Sequence, residues 1–430
     1  MHKTASAGVV ALAFSFAAAT AGAADTDASL EQALPHLIEL RHDIHQHPEL
    51  SNRETRTAAL VAKEMKALGL EVRTGIAHHG VIALLRGGKP GPLVAVRADM
   101  DALPVTEDTD LPFRSTVRTQ YNGEEVGVAH ACGHDVHTTV GIGVATMLAG
   151  MRKELPGTVM MIFQPAEEGV PQGEEGGAKM MLAQGLFAET RPDAIFALHT
   201  GPELSIGQIG VGSGSVYASS DRFRVTLHGK QSHGAHPHQG VDPIVLASQV
   251  VLDFQTIVSR TLNPIEPAVL SVGIVRGGER FNIIPADVYL EGTVRAFNAA
   301  VQDTVEARMR TILDGLTAAA GARYDFDYER MNPPVYNDPP LSAWARESLV
   351  RTLGAEAVVD IPPTMGAEDF AWFAKEVPGF YYRLGTVEPG TTSGGWHTPT
   401  FRAGDGAIEV GVRAMTGLVL DYLNSGGPSR

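Results

Sequence analysis

A single cysteine, Cys132, stands in 430 residues, so the chain cannot close an internal disulfide. Its thiol is therefore buried, reactive or bound to metal. Basic residues are in the minority, 34 Lys and Arg against 49 Asp and Glu, and the formal charge of −15 is spread without an acidic or basic tail. A surface of that sign repels phosphate backbones and argues against a nucleic-acid partner. Long apolar runs are missing too. Beyond the first two dozen residues no stretch reaches the roughly 18–20 apolar residues that a membrane-spanning helix needs, so no membrane association is expected. Internal repeats and low-complexity linkers are absent.

The chain is long enough for two or three domains with real cores. Its 44% hydrophobic and 19% charged residues are those of ordinary globular material. The N-terminus differs from the rest. Lys3 precedes an apolar run from Val9 to Ala19, and Ala21-Gly22-Ala23 is a small-x-small cleavage site. This pattern predicts a signal peptide over 1–24, an exported (periplasmic or secreted) protein, and a mature chain starting near Ala24 or Asp25.

Two kinds of strand signal follow. Leu93 to Val96, Val159 to Phe163 and Ala194 to Leu198 are unbroken apolar runs, which suit strands buried on both faces of a mostly parallel α/β sheet. Helical segments with nearby glycine stops lie between them, Thr57 to Leu68 and Thr138 to Leu148. From about residue 215 the pattern alternates instead: Phe223, Val225 and Leu227 with Arg224 and Thr226, and Tyr324, Phe326 and Tyr328 with Asp325, Asp327 and Glu329. Such strands have one covered and one wet face. Helices at 243–258 and 305–316 interleave with them in the order β-α-β-β-α-β, a ferredoxin-like arrangement. The expected architecture is an α/β catalytic domain, 25–214 and 330–430, interrupted by an inserted α+β lid and dimerisation domain at 215–329.

Metal-ligand residue types gather where the buried strands end: Arg97 to Asp101, Glu167-Glu168, His199, and the run His130-Ala131-Cys132-Gly133-His134-Asp135 that opens a helix. In open α/β sheets, loops beyond the carboxyl ends of strands converge on one crevice. Two divalent ions need about four ligands each, one often shared. Cys132, His134, Glu168, His199 and His397 offer such a set. A thiolate among imidazoles and a carboxylate suits zinc, with manganese, cobalt or nickel also compatible. In the pair Glu167-Glu168, one carboxylate can ligate while the other stays free as a base. His42, His45 and His47 read as structural, and His78, His79, His236 and His238 as loop residues at the surface.

With these stretches the chain resembles the amidohydrolase branch of the aminoacylase and carboxypeptidase metallopeptidases, which includes hippurate hydrolase and indole-acetyl-amino-acid hydrolases. The matching segments are Arg41 to His45 with Pro48-Glu49-Leu50, Arg97 to Pro104, His130 to His137, Gln164 to Gly169, Gly229 to His233, Asn282 to Pro285 with Glu291 to Arg295, Gly366 to Phe370, and His397-Thr398-Pro399. They span about 30–425. The resemblance implies a hydrolase that cleaves the amide bond of N-acyl amino acids or small peptides with a free carboxylate. Cys132 is then the ligand bridging two metal ions, and His134, Glu168, His199 and His397 are the remaining ligands. Glu167 is the general base, and Asp101 orients a ligand. His233 belongs to the lid and, in dimeric relatives, reaches the partner subunit's site. Asn282 and Arg295 are the candidates for holding the substrate carboxylate, and a homodimer or a dimer-based oligomer is expected. Gly234 stands where an alanine is expected. Two other classes are weighed: an exported solute-binding protein, whose cleft needs no free carboxylate beside metal ligands, and a cysteine-nucleophile hydrolase with His134 as base, which leaves Glu167 and Glu168 idle.

Overall fold

The computed structural model describes residues 13–428. Of the expected signal segment, residues 1–12 lie outside the described residues, and a helix already runs over Ala13–Gln46 (α1). No described helix is long and apolar enough to cross a membrane.

The remaining helices are α2 (Thr55–Ala67), α3 (His134–Gly150), α4 (Gly177–Ala183), α5 (Pro243–Thr256), α6 (Ala299–Ala320), α7 (Pro339–Leu353), α8 (Phe370–Glu376) and α9 (Gly406–Ser425). The strands of the two main sheets are β1 (Glu71–Ile76), β2 (Gly80–Arg86), β3 (Lys89–Asp99), β4 (Pro156–Gln164), β5 (Ala194–Ser205), β6 (Ile209–Val211), β7 (Ser220–His228), β8 (Ala268–Gly277), β9 (Asp287–Ala296), β10 (Arg323–Asn332), β11 (Val358–Asp360) and β12 (Gly379–Val387). Short ribbons connect them.

The eight-stranded sheet has the order β1-β2-β4-β3-β5-β12-β6-β11. Its centre, β4-β3-β5-β12, is parallel, and antiparallel β2 and β1 close one side. Alternate residues of the unbroken apolar runs go to opposite faces. Val94, Val96, Val159, Met161 and Phe163 pack against α1, α2, α3 and α9. Ala95, Met160, Ile162, Ile195 and Ala197 pack against α4 and α8. Both faces being covered, neither needs a polar residue, which is why the runs show no alternation.

The second sheet has the order β8-β9-β7-β10, all neighbours antiparallel. With α5 and α6 it follows the β-α-β-β-α-β order read from the sequence. Phe223, Val225 and Leu227 point at a core made with Leu246, Val250 and Phe254 of α5 and Val305, Met309 and Leu313 of α6. Arg222 and Arg224 on the other face pair with Glu291 and Asp327. Asp242 and Asn298 cap the two helices, accepting from Ile244 and Val245 and from Val301. The last strand, β10, continues to Asn332, past the expected boundary at 329.

Candidate metal centre

The carboxyl ends of β3, β4 and β5 and the start of α3 bring the site together. Asp99 ends β3 and Gln164 ends β4. His199 lies within β5, which runs beyond the apolar stretch ending at Leu198 because β12 pairs alongside it as far as Ser205. α3 starts at His134 after Gly133, whose φ of +86° is left-handed. A Cβ at Gly133 would sit 2.5 Å from Cγ2 of Thr200, so the close approach of the Cys132 loop to β5 requires glycine.

The imidazoles are held in defined orientations. His199 Nδ1 lies 2.9 Å from the Thr200 carbonyl, which can only accept, so Nδ1 carries the proton and the Nε2 lone pair faces Cys132 Sγ at 3.4 Å. His134 Nδ1 lies 3.2 Å from Asp101 Oδ1, which turns Nε2 inward, 3.7 Å from Glu168 Oε1 and 3.9 Å from Glu167 Oε2. Nε2 of His397 is 3.3 Å from Glu168 Oε2. The His397 backbone is left-handed (φ +63°) and its N–H donates to the Ala131 carbonyl at 2.8 Å, which fastens it to the cysteine loop.

Residues outside the candidate set organise these side chains. Thr200 donates its N–H to His137 Nε2 (2.8 Å) and its hydroxyl to the Cys132 carbonyl (2.6 Å), and its own carbonyl accepts from Trp396 Nε1 (3.1 Å). His137 in turn is 2.6 Å from Asp99 Oδ1. A buried Arg97 ties Asp99, Glu368 and Asp369 together at 2.6, 2.8 and 3.2 Å, and the Tyr381 hydroxyl also donates to Glu368. Arg97, Asp99, His137, Glu368 and Asp369 fall in the motifs already quoted. Thr200 carried no signal, since a threonine after an apolar run looks like any strand residue.

Burial and neighbouring charge set the proton affinities of the metal-free site. Burial opposes a charged His134, yet Asp99, Asp101 and Glu168 outweigh it and push the ring up to about 10. Burial and the neighbouring His137 and His134 hold His199 well below the usual range. The Cys132 thiol is pushed up by burial and by Glu168 and Glu167, and Glu167 by burial with Glu368 and Glu168 beside it. For Asp101 burial acts upward, but His134, Ser51 and the Glu168 amide bring it below the ordinary carboxylate value.

The residues fit metal ions. His134 Nε2 and Glu168 Oε1 are buried with no hydrogen-bond partner, a costly state for protein alone. Donor atoms of Cys132, His134 and His199 lie within 4.8 Å of one another, as do those of Cys132, Glu168 and His397. Cys132 is common to both groups. Seven of the sequence-derived residues thus converge: Cys132, His134, Glu167, Glu168, His199, His397 and Asp101. Three do not. His233 pairs with Ile283 in a short ribbon, Asn282 directly precedes Ile283 and accepts the Gly234 N–H at its carbonyl, and Arg295 sits on β9. Among the described residues no hydrogen bond, ion pair or ring contact joins His233, Asn282 or Arg295 to the cluster.

Residues 95–421 match the model of peptidase family M20/M25/M40. The chain belongs to this family. An N-acetyl-L-cysteine deacetylase of Bacillus subtilis is 36% identical over 372 residues, 86% of this chain and 84% of the relative. An IAA-amino acid hydrolase of Arabidopsis thaliana is 34% identical over 391 residues, 90% of this chain and 85% of the relative. The crystal structure of a dinuclear metal-binding peptidase of the M20 family from B. subtilis superposes with a TM-score of 0.78 at 36% identity, covering 92% of this chain and 99% of that one. The protein is accordingly a hydrolase of the M20 family, with two donor groups that share Cys132 and fit metal ions.

Proposed function

We propose that the protein hydrolyses the amide bond of N-acyl amino acids or small peptides that carry a free carboxylate, as an aminoacylase or hippurate hydrolase does. The observation that carries this reading is the place of Cys132 in two donor groups, with the Glu167 carboxyl beside them. Relatives named for N-acetylcysteine and for IAA–amino acid conjugates support the substrate class. Cys132, His134, Glu168, His199 and His397 would hold the ions, zinc by the softness of the set. Bound divalent ions supply Lewis acidity, polarising a carbonyl and lowering the pKa of water from about 15.7 to about 7. Glu167 takes the proton from the attacking water at its carboxylate and returns it to the leaving amine nitrogen. Asp101 keeps the proton of His134 on Nδ1. Asn282 and Arg295 receive the substrate carboxylate, and His233 donates to the carbonyl oxygen as it becomes anionic. A buried thiol pushed up by adjacent carboxylates does not favour Cys132 as a nucleophile.

Glu167→Gln should lower kcat by about 10²–10⁴ and keep its metal, whereas Glu168→Gln should lose metal. Reversed behaviour would exchange the two roles. Chelation should abolish activity and divalent metal restore it. Export is proposed on the N-terminal pattern: a mature N-terminus near Ala24 or Asp25 supports it, and one at Met1 does not.

A further inference from the structure

Glu54 is fully buried, immediately before α2, and no step above uses it. The ordinary duty for an acidic residue there is to cap the helix. That duty is already taken: Glu49 accepts the N–H groups of Arg56 (2.9 Å) and Thr57 (2.8 Å). The Glu54 side chain makes no capping bond. It turns inward, and its Oε1 accepts the N–H of Asn52 at 3.0 Å and the N–H of Ala166 at 2.8 Å. Its other oxygen, Oε2, is buried without a partner.

Ala166 directly precedes Glu167 and Glu168 and has φ +56°. The left-handed region is strained for a non-glycine residue, and such a conformation persists only where the surroundings enforce it. Pro165, before it, has no N–H to anchor the turn. Two carboxyl groups supply the anchorage. Glu54 takes the Ala166 N–H, and Asp101 takes the Glu168 N–H at 3.0 Å. Ser51 donates to the same Asp101 oxygen at 2.7 Å, so residues 51–54 are joined to the 166–168 turn through both carboxyl groups. With the backbone of the turn bound on that side, the carboxyls of Glu167 and Glu168 are left to face His134 on the other.

We infer that Glu54 is a positioning residue: by holding Ala166 left-handed it aims Glu167 and Glu168 into the metal cluster. The inference rests on the roles proposed above for those two glutamates. Burial first, and then the charge of Asp101, push its carboxyl up to about 8, so glutamine at this position reproduces its neutral form and keeps an acceptor for the Ala166 N–H.

The test compares Glu54→Leu, Glu54→Gln and Ala166→Val in the full chain, reading kcat and KM per folded molecule, divalent-metal affinity by competition with a chelator, and Tm. Glu54→Leu should lower kcat by about 10–100-fold and weaken metal binding by about 10–100-fold, with KM nearly unchanged. Glu54→Gln should restore both to near the wild-type values. Ala166→Val, which cannot hold φ +56° cheaply, should reproduce the losses with Glu54 intact, and it decides the matter if Glu54→Leu does not fold. Wild-type kcat and metal affinity in Glu54→Leu or in Ala166→Val would overturn the inference. So would a fall in Tm alone, or Glu54→Gln no better than Glu54→Leu. A wild-type protein that binds two metal ions but hydrolyses no N-acyl amino acid or peptide would instead defeat the proposed function, and the metal-affinity comparison would still decide the role of Glu54.

Discussion

His134 and Cys132 hold the protons that metal ions have to displace. In the metal-free site His134 is pushed up to about 10 and the Cys132 thiol is also raised, so both are protonated at neutral pH. Ligation needs the Nε2 lone pair and the thiolate, so loading should release about two protons. Metal affinity should therefore fall as the pH falls below about 10. Calorimetry in buffers of different ionisation enthalpy measures the release; affinity independent of pH between about 6 and 9 would contradict it. The same shift has a sign for stability. A histidine raised in the folded state stabilises below its unfolded value, near 6.5, and that contribution is lost as the pH rises through about 10. The metal-free protein should thus resist urea better at pH 7 than at pH 10, as far as His134 decides.

The elements matter through how closely they approach, and Gly133 is the tightest point. Gly133→Ala places a side chain at φ +86° and 2.5 Å from Thr200 Cγ2. The left-handed backbone alone should cost about 1–2 kcal/mol, and displacing Thr200 should disturb its bond to the Cys132 carbonyl and weaken metal binding. Adding Thr200→Ser removes the methyl and should recover part of the loss. Urea unfolding and chelator competition measure both effects; an alanine variant as stable as the parent would show that the loop can shift at no cost. The helix start, the glycine and the buried strand of this element pair are visible in the chain as patterns. The contact between them is not, because Gly133 and Thr200 are 67 residues apart and nothing local to either reports the other.

At the scale of the molecule, the four-stranded unit leaves its edge strand β8 unpaired on one side. Beside it an apolar groove of about 450 Å³ lies between α5 and β8, lined by Ile244, Val251, Leu252 and Val275. Leu252 is 69% exposed and Val275 58%. We propose that a second copy pairs there by two-fold symmetry, which would cover both the strand edge and the groove. The role proposed for His233 requires that its ribbon reach the metals of that second copy. Val275→Lys should yield monomers by sedimentation. His233→Ala should cost about 10²–10³ in rate while keeping its metal. Mixing it with Glu167→Gln under subunit exchange should raise activity well above either parent, because each heterodimer then holds one intact site. No recovery despite demonstrated heterodimers would place the action of His233 within its own chain.

The sequence by itself determined the two kinds of sheet, the order of elements in the four-stranded unit and the cluster from Cys132 to His397. Period-two alternation and unbroken apolar runs are direct consequences of one or two covered faces, and a thiol, imidazoles and carboxylates at strand ends have few other uses. Tertiary structure alone decided the supporting residues. Glu54 reads locally as a helix cap and Thr200 as a strand residue, and Arg97, although it falls in a recognisable motif, shows nothing there of what it pairs with. Each acquires its task from a partner distant in the chain: the Ala166 amide, the Cys132 carbonyl and the Glu368 carboxylate. A ligand is legible because its own chemistry announces it, whereas a positioning residue works through hydrogen-bond geometry that exists only once the chain is folded.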